Sequence, residues 1–158
     1  MTYFTEIYDR ALVVIQDYKL DNLAKTDYAS FLLFMKGFLR NSIDYFSQTL
    51  TDLSWTDNVI IKQDEDGNNV EYDNSYFNND LTTKEQSILA MIVVYNWFLR
   101  ETQDVRQFEL HIKTRDYQLY SESANLKQKI EYLDKLREEY LYEIQQYQIN
   151  NDSVWEGF

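Results

Sequence analysis

The groups with most chemical capacity in this chain are carboxylates and phenols: 27 Asp and Glu and 14 Tyr stand beside a single histidine, His111, with no cysteine. Thiolate catalysis, thiolate metal sites and disulfides are thereby removed, and one imidazole leaves few ways to move a proton or build a His-based metal set. The densest candidate is the run Asp64-Glu65-Asp66-Gly67-Asn68-Asn69-Val70-Glu71-Tyr72-Asp73. Aligned on an EF-hand calcium loop, Gly67 takes the invariant glycine place, and Asp64 and Asp66 the third and fifth ligand places. Both ends fail. The first ligand would be Lys62, a cation, and the bidentate glutamate place holds Asp73. The same residues make an ordinary Gly/Asn/Asp turn between two short strands, which is the preferred reading.

His111 alternates with Glu109 and Lys113 on the polar side of Gln107 to Lys113, while Phe108, Leu110 and Ile112 take the other side. That alternation predicts a short strand with a surface histidine. Carboxylate pairs are too numerous for any one to single out glycoside hydrolysis, and there is no Gly-rich phosphate loop, nucleophile elbow or HExxH. No catalytic, cofactor-binding or metal residue is assigned, and no cofactor is expected. The chain reads as a non-enzyme whose product is a surface.

A formal net charge of −12 argues against general binding to a phosphate backbone, which depends on neutralising phosphates with Lys and Arg. The same charge suits solubility, repulsion of DNA from a channel wall, or imitation of DNA towards a basic partner. Many tyrosines fall on helical stripes, where an apolar body and a polar tip suit a core edge or an interface. AT-rich coding would produce the same surplus.

The elements that hold these groups follow from periodicity. At 158 residues the chain can bury roughly 70 % of its extended-chain surface as one domain. Phe4, Ile7, Tyr8, Ala11, Leu12, Ile15 and Tyr18 recur at three and four residue steps and predict a helix over 3–19. A polar break follows at Lys19 to Lys25. Thr26 is then the expected N-cap of a second helix carrying Tyr28, Phe31, Leu32, Met35, Phe38, Leu39, Ile43 and Phe46. Gly37 lies inside that stripe, where it costs about 1 kcal/mol relative to alanine and would permit close helix approach.

Val59-Ile60-Ile61 and Val70 to Tyr72 flank the acidic turn as a β-hairpin. From Trp55 to Leu81 the acids are Asp57, Asp64, Glu65, Asp66, Glu71, Asp73 and Asp80, against Lys62 alone, so this insert is the charged protrusion. Thr82 and Glu85 form a capping box ahead of a run from Ile88 to Leu99 that is apolar nearly all round. Such a run is a central core helix: twelve residues span only about 18 Å, too short for a bilayer. A last helix, starting between Thr114 and Ser123, carries Leu126, Ile130, Leu133, Leu136, Tyr140, Ile144 and Tyr147 on one face, with Glu131 and Lys135 in the favourable order for an ion pair on the other. The N-terminus has no basic segment followed by an apolar run, so no secretory signal is read and the mature chain is expected to start there.

The fold class is therefore mainly α: a helical bundle of about four helices with a β-hairpin insert and a short extra strand. Residues 1–149 form one domain, with the insert at about 56–80. Residues 150–158 form a tail whose Val154, Trp155 and Phe158 pack back on their own domain or anchor in a partner.

This order of elements, with Phe77-Asn78-Asn79-Asp80-Leu81-Thr82 entering the Trp97 helix and Ser123-Ala124-Asn125-Leu126-Lys127 in the charged last helix, resembles the neck proteins of tailed bacteriophages, the head–tail connector or adaptor family. The resemblance implies a non-enzymatic virion subunit, assembled in the host cytoplasm. It would form a closed ring of about a dozen copies, bind the portal and the tail or stopper proteins, and extend the DNA channel. DNA would pass without specific binding, and no membrane is involved. By the same resemblance Trp155 to Phe158 would contact the portal. Asp57, Asp64, Glu65, Asp66, Glu71 and Asp73 would then line the channel or meet a neighbouring subunit. The rival reading is an acidic DNA mimic of the anti-restriction or anti-CRISPR type. It predicts binding to a basic enzyme that weakens steeply with salt.

Overall fold

The computed structural model describes residues 1–112 and 119–152, with side chains for 1–104 and 126–151. The fold is mainly α. A first helix, α1 (Phe4–Leu12), buries Phe4, Ile7, Tyr8 and Ala11 on one face. It stops well short of residue 19. The β-branched run Val13-Val14-Ile15 is a poor helix continuation; Ile15 turns into the core at 2 % exposure while Val13 and Val14 face solvent. Asp17 then accepts a hydrogen bond from the Lys19 amide and caps a second helix, α2 (Tyr18–Thr26). The stretch expected as a polar break is thus helical, anchored by buried Leu20 and half-buried Leu23.

Helix α3 (Tyr28–Tyr45) follows after one residue. Its cap is Asp27, whose carboxylate accepts from the Ser30 amide at 3.0 Å. Thr26 instead closes α2, donating its hydroxyl to the Asn22 carbonyl. Phe31, Leu32, Met35, Phe38, Leu39 and Ser42 form the buried face of α3.

Helix α4 (Thr83–Ile112) opens with the expected capping box: the Thr82 amide donates to Glu85 Oε2 at 2.7 Å and the Glu85 amide donates back to Thr82 Oγ1 at 3.3 Å. Ile88, Leu89, Ala90, Ile92, Val93, Val94 and Trp97 are buried, consistent with an element packed against α1, α3 and the last helix. Each fully buried aliphatic side chain contributes roughly 1.5–3 kcal/mol. Residues 107–112 continue α4, so the short strand expected there does not form. No Gly or Pro interrupts Glu101 to Arg106, and the Thr102 hydroxyl donates back to the Phe98 carbonyl inside the helix. A running helix adds each further residue at little cost.

The last helix, α5 (Leu119–Asp152), extends to residue 152 and runs antiparallel to α4, as three contacts in order establish. Phe98 meets Tyr132, Tyr95 meets Tyr140, and Glu85 meets Tyr147. Among its described side chains, Leu133, Leu136, Tyr140 and Tyr147 are buried. On its outer face the ion pairs are Lys127–Glu131 and Lys135–Glu139. Glu131 thus pairs backwards instead of with Lys135.

Two small antiparallel sheets complete the fold. The hairpin joins β3 (Val59–Gln63) to β4 (Asn69–Asp73), with Val59 opposite Asp73 and Gln63 opposite Asn69. Gly67 takes a positive φ of 81° at its turn, which suits glycine. At its base, β1 (Thr2–Tyr3) and β2 (Trp55–Thr56) both pair with β5 (Tyr76–Phe77) in the order β1-β5-β2. Phe4, Trp55 and Phe77 pack their rings together there, Trp55 at 5.5 Å and Phe77 at 4.9 Å from Phe4.

Candidate interaction site

Two features bring charged and aromatic side chains together. The first is the root of the hairpin, where α3 supplies Lys36 and the insert supplies its anions. Lys36 Nζ contacts Asp57, lies 2.6 Å from Asp73 Oδ1 and 2.9 Å from Ser75 Oγ, and Ser75 donates to Asp73 at 2.8 Å. The Lys36 side chain is 13 % exposed and that of Asp73 only 3 %. Burial by itself would lower the Lys36 pKa, but contact with the two carboxylates outweighs it and holds the ammonium above its ordinary value. The hydrogen bond from Lys36 holds Asp57 below the usual carboxylate range. Asp57 and Asp73 are therefore structural anions that clamp the hairpin to α3.

The remaining insert acids lie further out. Asp64 is spent on the turn, accepting from the amides of Asp66 and Asn68; the Asn68 amide foremost lowers its pKa. It has no ligand set around it: among the described residues, no cluster of three or more His, Cys, Asp or Glu could hold a metal. Glu65, Asp66 and Glu71 are exposed. Beside them Val59 and Ile61 face solvent at 53 % and 62 % exposure. Ile60 and Tyr72, opposite one another on the strands, instead line a small hollow of about 320 Å³ against Tyr28 and Leu32.

The second feature is an open cavity of about 970 Å³ between α3 and α4, to which Trp55 also contributes. Its walls carry guanidiniums on aromatic faces: Arg40 lies 5.4 Å from the Trp55 ring centre and Arg100 lies 4.9 Å from that of Phe34. Such pairs hold a planar cation in place. Asn41, Asp44 and Asn96 add polar groups, and Asn96 is fixed by donating to Ser42 Oγ at 3.1 Å. Gly37 also lines the cavity. A Cβ built there would meet nothing within 4 Å, so the glycine does not serve the close helix approach expected of it.

A third polar cluster is internal. Glu85, 1 % exposed, accepts from the Thr82 amide, the Thr82 hydroxyl and the Tyr147 phenol, the last at 2.6 Å. Tyr147 in turn accepts from the Leu50 amide. Burial pushes the Glu85 pKa up, but these hydrogen bonds, led by that of Tyr147 and joined by Thr51, bring it below its ordinary value. The cluster ties the N-terminus of α4 to the C-terminal part of α5 and to the loop after α3.

Of the residues proposed from sequence, Asp57 and Asp73 meet at Lys36, while Asp64, Glu65, Asp66 and Glu71 spread along the hairpin. Val154, Trp155 and Phe158 lie outside the described residues. His111 falls in the backbone of α4, and its side chain is outside the description. The cavity went unread in the sequence because its walls come from two helices far apart in the chain. One local signal pointed to it: Gly37, set in an apolar stripe. Among the described residues no helix is long and apolar enough to cross a membrane. Comparison with known protein families, curated proteins and solved structures found no match.

Proposed function

We propose that this protein is a structural subunit of a tailed-phage neck, a head–tail connector that associates with copies of itself into a ring below the portal and extends the DNA channel. The observation that carries this reading is the clamped hairpin. Lys36 fixes its root, while β3 presents Val59 and Ile61 to solvent beside an open strand edge. On an isolated molecule an exposed apolar edge strand is a hazard; between subunits it is a joint. In this reading α1, α3, α4 and α5 form the bundle, the hairpin reaches a neighbour, and Glu65, Asp66 and Glu71 lie along the channel or the joint. Portal, tail and stopper proteins are the partners, and DNA passes without specific contact.

The acidic-mimic reading rests on the same exposed carboxylates. It is weaker because Lys36 pairs with Asp57 and Asp73 and offsets one of their two charges, and Lys62 lies over Tyr72 in the middle of the hairpin. That leaves a thin row of charge in place of a phosphate-like array. Electron microscopy of the purified protein over a wide concentration range, alone and with the portal of its source phage, tests the proposal. Closed rings, or a ring added beneath the portal, are expected. Small particles that ignore the portal but bind a basic enzyme in a salt-sensitive way would overturn it in favour of the mimic.

A further inference from the structure

We propose that the cavity between α3 and α4 receives the segment Val154-Trp155-Glu156-Gly157-Phe158 of a second copy of this chain. Three observations on the receiving side point to a ligand with flat apolar groups and negative charge. Gly37 stands in the middle of α3 at a cost of about 1 kcal/mol relative to alanine, with open space above it that packing does not require. The space has an effect only if something enters it. Arg40 and Arg100 are stacked on Trp55 and Phe34, and neither makes an ion pair among the described residues. Against them the cavity holds one anion, Asp44, with Asp57 within Coulombic reach of Arg40, so it is a mildly cationic aromatic site on a chain of charge −12.

Complementarity selects the occupant. Within five residues that segment carries two large rings and a carboxylate, Trp155, Phe158 and Glu156, around a glycine. Aromatic anchors seated in a preformed pocket with a paired charge are the usual centre of a binding interface.

Geometry keeps the Trp155 end of the segment away from Arg100 of its own chain, which points to another copy. Helix α5 runs antiparallel to α4, and Tyr147 meets Glu85. From Glu85 to Arg100 along α4 is about 22 Å. Asp152 lies five residues beyond Tyr147 in the opposite direction, which puts it about 30 Å from Arg100 at 1.5 Å per residue. Trp155 can extend no more than about 11 Å from Asp152. The segment therefore cannot seat Trp155 beside Arg100 of its own chain. A head-to-tail contact of this kind generates rings or open filaments according to the rotation it imposes. The inference rests on the self-association in the connector reading and is independent of the portal.

The test uses the full chain carrying Trp155→Ala and Phe158→Ala, so that its own segment does not compete, and a labelled peptide of residues 152–158. Fluorescence anisotropy is expected to show saturable binding that weakens with salt. It should weaken at least tenfold in Gly37→Leu, which fills the cavity, and in Arg40→Glu/Arg100→Glu, which reverses its charge. Gly37→Leu removes a helix-interior glycine and should melt no lower than its parent, which separates a blocked cavity from a damaged fold. In the otherwise native chain, Gly37→Leu should also reduce self-association in sedimentation velocity. Peptide binding unchanged in both variants, or absent altogether, would overturn the inference. Rings that still form on the portal with Gly37→Leu would remove this contact and leave the connector reading standing. Peptide binding without any ring would do the reverse.

Discussion

Replacing Lys36 with methionine keeps most of the stem and removes the charge that two carboxylates of the insert surround. Asp57 is 69 % exposed on its side chain, and solvent screening leaves such a pair little weight. Asp73 is the decisive partner: its side chain is 3 % exposed and would keep only the Ser75 hydroxyl as a hydrogen-bond donor. Removing one member of a buried pair costs about 3–5 kcal/mol. With Ser75 retained, the lower end is expected, about 3 kcal/mol, or a melting temperature lower by roughly 6–12 °C for a chain of this size. Urea unfolding followed by far-UV circular dichroism measures the loss. The double variant Lys36→Met/Asp73→Asn should recover more than half of it, because no uncompensated ion then remains. A loss below about 1 kcal/mol in the single variant, or no recovery in the double, would refute the clamp. The pH dependence has two sides. Lys36 is held above its ordinary value of 10.5, so its contribution is complete below that pH and is lost as the pH rises through the folded value. Asp57 is held below 3.8, so its contribution is present above that pH and is lost as the pH falls through the folded value.

Tyr147→Phe removes the phenol that donates to buried Glu85 and accepts from the Leu50 amide. A hydrogen bond to a charged group contributes about 1.5–3 kcal/mol, and urea titration should register a loss of that order. Because the Glu85 pKa is lowered on folding, the native chain loses the associated stability as the pH falls through the folded value, below 4.5; the variant should show less of this acid sensitivity. Tyr8→Phe should act the other way. The Tyr8 hydroxyl is buried without a hydrogen-bond partner among the described residues, burial foremost pushes its pKa up, and such an orphan costs about 1–3 kcal/mol. A thermal melt should rise in Tyr8→Phe; a fall would refute the orphan.

The parts of the fold legible from sequence are those specified locally. Thr82 and Glu85 announce the start of α4 by spacing alone, and Gly67 among Asp and Asn marks the hairpin turn. The apolar stripe from Phe4 to Tyr18 concealed a boundary because periodicity records which side chains share a face and says little of where the backbone leaves it. The β-branched run at Val13 and the cap at Asp17 set that boundary. Alternation over 107–113 suggested a strand, but a helix already running from Thr83 meets no stop signal and takes in residues 107–112. Strands of two residues such as β1, β2 and β5 have no period to detect. The acidic insert read as a charged protrusion because the cation that pairs with Asp57 and Asp73, Lys36, comes from another element. Glu85 was legible as a cap; its burial and its bond to Tyr147 depend on how α5 lies across α4.

The pairing of Thr2 with Phe77 has a consequence for the order in which the molecule is made. Helices α1, α2 and α3 can form from neighbouring residues as they leave the ribosome. Strand β1 has no partner until β5 has been synthesised, nearly half the chain later, and the Leu81 amide that donates to Thr2 Oγ1 comes later still. Closing so long a loop is slow relative to helix growth. Strand β1 is thus made well before it can settle, and β5, which must hold β1 and β2 at once, is a checkpoint that the insert and β1 pass together.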